Sequence, residues 1–198
     1  MKTLIRKGID KILYLFYEEK AARIHLRAIA RRTGLNENSA YRFLSELEKE
    51  KLLVSRKDGN LKKYETAKTA AVYSIFAYLD VARFGELPSL RKNALGYFLD
   101  HLKEKPIIAL VFGSTAKRTF KEDSDIDLLL IVNRKIDTKA AKEYADSQTT
   151  IRISCTQITV EEFKKELKLK EDKVVQSAIN TGYPVTNNVE YYRMINSE

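Results

Sequence analysis

Pro106-Ile-Ile-Ala-Leu-Val-Phe-Gly-Ser-Thr-Ala-Lys-Arg-Thr-Phe-Lys-Glu-Asp-Ser-Asp-Ile-Asp-Leu-Leu-Leu-Ile-Val132 decides how the second half of this 198-residue chain is read. Its first seven residues are a short apolar, partly β-branched run of buried-strand length. The run passes directly into Gly113-Ser114, and Asp125-Ile-Asp127 opens a second apolar run that ends at Val132. Alternation in a strand puts Asp125 and Asp127 on one face and Ile126 on the other. Two carboxylates so close repel each other unless a cation lies between them. Mg²⁺ (or Mn²⁺), with oxygen ligands and phosphate partners, suits that place. Gly113 permits a close backbone approach by a ligand, and Ser114 offers a hydroxyl and an N–H. A helix beginning within 115–119 would add an anion-binding dipole and bring Lys117 and Arg118 towards phosphates. Carboxylates holding a metal beside a phosphate cradle are what in-line phosphoryl chemistry requires.

Within this stretch, Val111-Phe-Gly-Ser-Thr-Ala-Lys-Arg-Thr-Phe-Lys-Glu-Asp-Ser-Asp-Ile-Asp-Leu128 resembles the signature of the DNA polymerase beta-like nucleotidyltransferase superfamily. It is most similar to the small prokaryotic minimal branch. The resemblance implies a small mixed sheet with flanking helices, binding of an NTP and Mg²⁺, and transfer of a nucleoside monophosphate to an acceptor. It makes Gly113 and Ser114 the holders of the triphosphate, and Asp125 and Asp127 the metal-binding, catalytic carboxylates. Minimal nucleotidyltransferases are often paired with a small helical protein, so the resemblance implies that partner too. Two positions depart from the pattern. Many members have glycine where Arg118 stands. Active members usually carry a third carboxylate on a later strand, which helps activate the attacking hydroxyl. The corresponding strand here, Thr150–Ile158, has no Asp or Glu; Asp146 precedes it and Glu161-Glu162 follow it.

The flanking sequence reads as scaffold. Residues 137–146, 161–169 and 174–179 suit helices, the second capped near Thr159, and Thr181–Thr186 turns into a final extended piece. Cys155 reads as a small buried residue. Upstream, Val72, Ile75, Phe76 and Leu79 keep helical spacing to near Gly85. Pro88 then starts another helix carrying Leu90, Leu95, Phe98, Leu99 and Leu102. Residues 67–104 are thus a helical connector or dimer interface, with nothing that suggests chemistry.

The first third follows a different plan. Ile5, Ile9, Ile12, Leu13 and Phe16 give an opening amphipathic helix, and His25–Arg32 a second with Leu26, Ile29 and Ala30 inward. Gly34 suits a left-handed C-cap and Asn36 an N-cap. A third helix over Glu37–Lys51 puts Ala40, Phe43, Leu44 and Leu47 on one side. Leu52–Tyr64 then forms two short extended stretches about a turn at Gly59, with Arg56, Lys57, Lys62 and Lys63 around its tip. This order resembles the winged helix-turn-helix domains of prokaryotic regulators. The resemblance places the third helix in a major groove with Asn38, Ser39, Tyr41, Arg42 and Ser45 outward, and the wing cations on phosphates. Glu37, Glu46, Glu48 and Glu50 oppose a DNA backbone. Charge agrees with a polyanion partner here: residues 1–66 hold 16 Lys/Arg against 9 Asp/Glu, a balance of +7 within the total of +9.

The expected fold class is therefore α+β. A winged helix spans 1–66, a helical connector 67–104 and a small mixed-sheet α/β nucleotidyltransferase domain 105–198. No run of 18 apolar residues predicts a membrane span, and the N-terminus has no apolar core of signal-peptide length. A single cysteine excludes an internal disulfide and, with two histidines, makes a zinc site a poor fit. The expected setting is cytoplasmic. Oligomeric state is not legible, although winged-helix proteins are often homodimers. The expected function is Mg²⁺-dependent nucleotidyl transfer coupled to DNA binding. The rival is a DNA-binding regulator or antitoxin-like protein that binds nucleotide or a partner protein without turnover.

Overall fold

Ile9, Ile12, Leu13 and Phe16 form the buried face of helix α1 (Ile9–Glu18) in the computed structural model, which describes residues 8–20 and 22–197. Ile5, expected on the same face, lies outside the described residues. The chain divides into two compact units, Met1–Leu79 and Asp80–Glu198.

In the first unit, strand β1 (Ile24–His25) leads into α2 (Leu26–Thr33), with His25 as its N-cap. Gly34 ends α2 in the left-handed conformation at φ 67°, as its lack of Cβ allows. The Asn36 side chain accepts from Ser39 N at 2.8 Å and starts α3 (Glu37–Lys49). β2 (Leu53–Asp58) and β3 (Leu61–Thr66) are joined by Gly59-Asn60, with Gly59 at φ 58°. The sheet order is β1-β3-β2, all antiparallel. Ile12, Phe16, Ile29, Ala40, Leu44, Leu47, Leu53 and Tyr64 supply the core. This is the expected helix, helix, turn, helix, hairpin order. The division between the units falls inside α4 (Ala70–Gly85).

The second unit continues with α5 (Ser89–His101), β4 (Ile108–Phe112), α6 (Gly113–Lys117), β5 (Ile126–Val132), α7 (Lys139–Thr149) and β6 (Ile153–Thr159). It closes with α8 (Val160–Leu169), α9 (Lys173–Thr181), β7 (Tyr183–Pro184) and α10 (Asn188–Ile195). The sheet order is β6-β5-β4-β7; β5 and β6 are parallel and the other pairs antiparallel, so the expected mixed sheet and α+β class are observed. Every residue of β4 is buried because both faces of the sheet are covered, which is why the run is continuously apolar. One face packs Ala109, Val111, Ile126, Leu128 and Leu130 in a cluster with Leu95 and Phe98 of α5 and Ala141 and Ala145 of α7. Helices α8, α9 and α10 pack on the same sheet's strands.

Three expectations need correction. The third strand begins at Ile153 rather than Thr150, because residues 150–152 form the exit from α7. The final extended piece is only Tyr183–Pro184, after which α10 forms and buries Tyr191, Tyr192 and Met194. Leu90, grouped with the apolar residues of this helix, is exposed; the buried stripe runs through Arg91, Ala94, Leu95 and Phe98. Among the described residues no helix is long and apolar enough to cross a membrane.

Candidate active site

The pairing of β4 with β5 builds the site. Phe112, the last residue of β4, is the register partner of Asp127, so the turn that follows at Gly113 is set beside that carboxylate. Gly113 has φ 65°, and a Cβ there would overlap Asp127 Oδ2 and lie 3.1 Å from its Cγ. Two independent constraints therefore require glycine at this position. Only five residues of helix follow, Gly113–Lys117, with Thr119 N donating to Ser114 O at 3.0 Å. The helix expected over 115–119 thus starts two residues earlier and stops sooner.

Arg118 ends α6 at φ 58°, in the left-handed region that glycine adopts without strain, which accounts for the glycine common there in the family. Its guanidinium is taken up in an ion pair with Glu86. Lys117 is exposed and Ser114 half-buried.

Asp127 is half-buried, and burial first, then the charge of Asp125, pushes its pKa above the ordinary carboxylate value. Asp125 is exposed and lies one residue ahead of β5, close enough for its charge to act on Asp127. The segment just before it is anchored by a buried arginine. Arg91, 2% exposed on α5, donates from Nη1 to Thr115 Oγ1 at 3.0 Å. Its Nη2 donates to Lys121 O at 3.0 Å and to Ser124 O at 2.8 Å. The guanidinium carbon lies 4.0 Å from the centroid of the Phe120 ring. Burial pulls the Arg91 pKa down, against the opposing charge of Asp125. Arg83 adds a second brace, donating to Ala116 O at 2.6 Å and Thr181 O at 3.3 Å.

The sequence reading missed Arg91 and described its segment as free of chemistry. The signal was there: a basic residue at i with apolar residues at i+3, i+4 and i+7 sits in a buried stripe, where charge is expensive unless it is fully hydrogen-bonded.

The position on β6 that faces Asp127 is Ser154. Asp146 lies on α7, and Glu161 and Glu162 on α8, where Glu162 closes the capping box with Thr159. Among the described residues no three His, Cys, Asp or Glu are close enough to hold a metal together. Cys155 is a half-buried free thiol whose pKa burial raises to about 11, which makes it a poor nucleophile at neutral pH.

In the first unit, Asn38, Tyr41, Arg42 and Ser45 are exposed on α3, while Ser39 is half-buried. The wing differs from its expected state. Arg56 pairs with Glu65 at 2.9 Å, Lys62 with Glu48 at 2.8 Å and Lys63 with Asp58 at 2.5 Å; Lys57 is exposed. Glu48 also accepts from Ser55 Oγ at 2.5 Å. Burial opposes ionisation of Glu48, but Lys62 and Ser55 outweigh it and hold its pKa below the ordinary value. The carboxylates of α3 and the hairpin therefore answer the wing's own cations. Surface ion pairs of this kind are weak and are screened by salt.

Residues 97–185 match the family model Polymerase beta, Nucleotidyltransferase, a span that includes all four strands of the second sheet. The second unit is a nucleotidyltransferase-like domain. Residues 11–57 match the IclR helix-turn-helix domain, so the nucleotidyltransferase-like domain stands behind a winged helix. No curated protein matches the chain. Among solved structures, one similar chain is the homodimeric winged helix-turn-helix DNA-binding domain of a possible ArsR-family transcriptional regulator from Mycobacterium bovis. It is 24% identical over 41% of this chain and 73% of that one, with a TM-score of 0.33. Another is TrmBL2, an archaeal chromatin protein, 17% identical over 87% of this chain and 75% of that one, with a TM-score of 0.25.

Proposed function

We propose that the second unit binds an NTP with Mg²⁺ at Gly113, Ser114, Asp125 and Asp127 and transfers its nucleoside monophosphate to an acceptor hydroxyl, while the first unit binds duplex DNA. The observation that carries this reading is the Asp127 carboxylate lying against the Gly113 turn, with a second carboxylate, Asp125, close enough to raise its pKa. A half-buried acid that repels its neighbour fits a cation. Asp125 and Asp127 would hold that cation, leaving its other positions to phosphate oxygens and water. When bound, it supplies neutralisation of the charge that develops on the phosphoryl group. The chain's own part is to orient the triphosphate through the Ser114 hydroxyl and N–H and to fix the spacing of turn and carboxylates.

A second reading has its own support. Ser154, rather than an acid, faces Asp127 across the parallel pair, so a general base for the acceptor is missing from that position. On this reading the domain binds nucleotide, or a small helical partner protein, and regulates DNA binding without turnover. Incubation of the full chain with each α-labelled NTP and Mg²⁺, with and without host lysate, separates the two. Label on a macromolecule from wild type, absent with Asp125→Asn/Asp127→Asn, supports the transferase. Mg²⁺-dependent NTP binding with no transfer supports the regulator. Either role fits a cytoplasmic protein.

For the first unit, DNA affinity should fall steeply with salt as phosphate contacts release counterions. Glu48→Gln frees Lys62 from its carboxylate and should steepen the log–log slope by about 0.9, the increment for one added phosphate contact. Fluorescence anisotropy across a salt series measures this. A flat response in wild type would remove the DNA-binding proposal.

A further inference from the structure

Arg91 lies outside the segment that matches the nucleotidyltransferase model, yet it touches both ends of the site. It leaves α5 within the buried stripe and reaches Thr115, the residue after Gly113-Ser114, and Ser124, the residue before Asp125. Its third hydrogen bond and its stacking partner, Lys121 O and Phe120, lie in the segment between. We infer that Arg91 is a positioning residue for this site: it sets the separation of the Gly113-Ser114 turn from the Asp125/Asp127 pair by clamping the segment that joins them.

The side-chain type carries the argument. A planar guanidinium fork meets three acceptors in fixed directions while its face rests on an aromatic ring. A lysine ammonium, a point charge on a flexible stem, cannot hold that arrangement. Burying a charge against neutral acceptors is also a poor device for stability alone, since an apolar side chain of similar volume often does as well or better. The cluster of α5, α7 and the sheet already secures the domain. What Arg91 adds is order in residues 115–125, which belong to no strand and no long helix.

The inference rests on the proposed nucleotide site, and its test keeps the two apart. In the full chain, Arg91→Lys and Arg91→Ala are compared with wild type for Mg²⁺-dependent binding of a non-hydrolysable ATP analogue. A fall of roughly 10–100-fold in affinity is expected in both, the usual effect of losing a residue that orients ligating groups. Guanidinium ion at millimolar concentration should restore affinity to Arg91→Ala and leave Arg91→Lys unchanged. Amide hydrogen exchange is read without nucleotide. The amides of Thr119 and Ser124, which donate to Ser114 O and Lys121 O, should lose protection, while those of Val111 and Leu129 in the strands keep theirs. Unchanged exchange at Thr119 and Ser124 overturns the inference, as does loss of protection throughout β4 and β5, which would make Arg91 a general stabiliser. If wild type binds no nucleotide, the proposed function falls, and the exchange pattern alone decides whether Arg91 clamps the segment.

Discussion

Gly113→Ala is expected to remove Mg²⁺-dependent nucleotide binding while leaving the second unit folded. Its backbone angle, φ 65°, costs a non-glycine residue roughly 1–2 kcal/mol. The new methyl group would also overlap the Asp127 carboxylate, so either the turn or the acid must move. The strands flanking the turn are buried along their length and hold the fold. A drop in melting temperature of about 2–8 °C follows from that cost for a chain of this size, against a complete loss at the site. Gly59→Ala is the control. Gly59 shares the strained angle, at φ 58°, but a Cβ there meets nothing within 4 Å. It shares the backbone cost without the overlap, so its loss of stability should be no larger, and nucleotide binding should survive. Equal binding by Gly113→Ala and wild type would contradict the placement of the nucleotide.

Asp127→Asn is expected to act in opposite directions on activity and stability. Loss of a metal-holding carboxylate removes several kcal/mol of transition-state stabilisation, or about 10³-fold in transfer rate. In metal-free buffer the same variant should melt higher than wild type at neutral pH. The folded-state pKa of Asp127 lies above its unfolded value, because of burial first and Asp125 second. Its ionisation therefore costs the folded state free energy. That cost is fully present above the folded pKa, declines as pH falls through it, and is gone below the unfolded pKa. The advantage of Asp127→Asn should shrink over that acidic window and vanish below it. Adding Mg²⁺ with an NTP should raise the melting temperature of wild type and leave the variant unmoved. A melting temperature for the variant equal to or below that of wild type at neutral pH would show that the carboxylate is not strained by its surroundings.

Much of this arrangement was legible in sequence because local rules decided it. Gly34 and Asn36 cap their helices, Gly59 turns the hairpin, and the two apolar runs about Gly113-Ser114 and Asp125-Ile-Asp127 pair as strands. The features that sequence reading missed depend on contacts between distant residues. The local pattern marks Arg91 as a buried cation, but its reach to Ser124, 33 positions away, is set only by the fold. Lys62 and Glu48 are 14 apart, on a strand and a helix, so the wing looked freely cationic until the hairpin folded back on α3. Asp125 stands one residue ahead of β5, so its place depends on the Arg91-held segment before it as well as on strand alternation. The terminal segment was read as extended because Gly182 and Pro184 are turn signals; only the burial of Tyr191, Tyr192 and Met194 in the second unit explains why α10 forms.

The most direct measurement is a calorimetric titration of metal-free protein with a non-hydrolysable NTP analogue, with and without Mg²⁺. Saturable binding that requires Mg²⁺ in wild type, persists in Gly59→Ala and disappears in Asp127→Asn and Gly113→Ala is the predicted result. No binding to wild type, or binding that both site variants keep, would contradict the account.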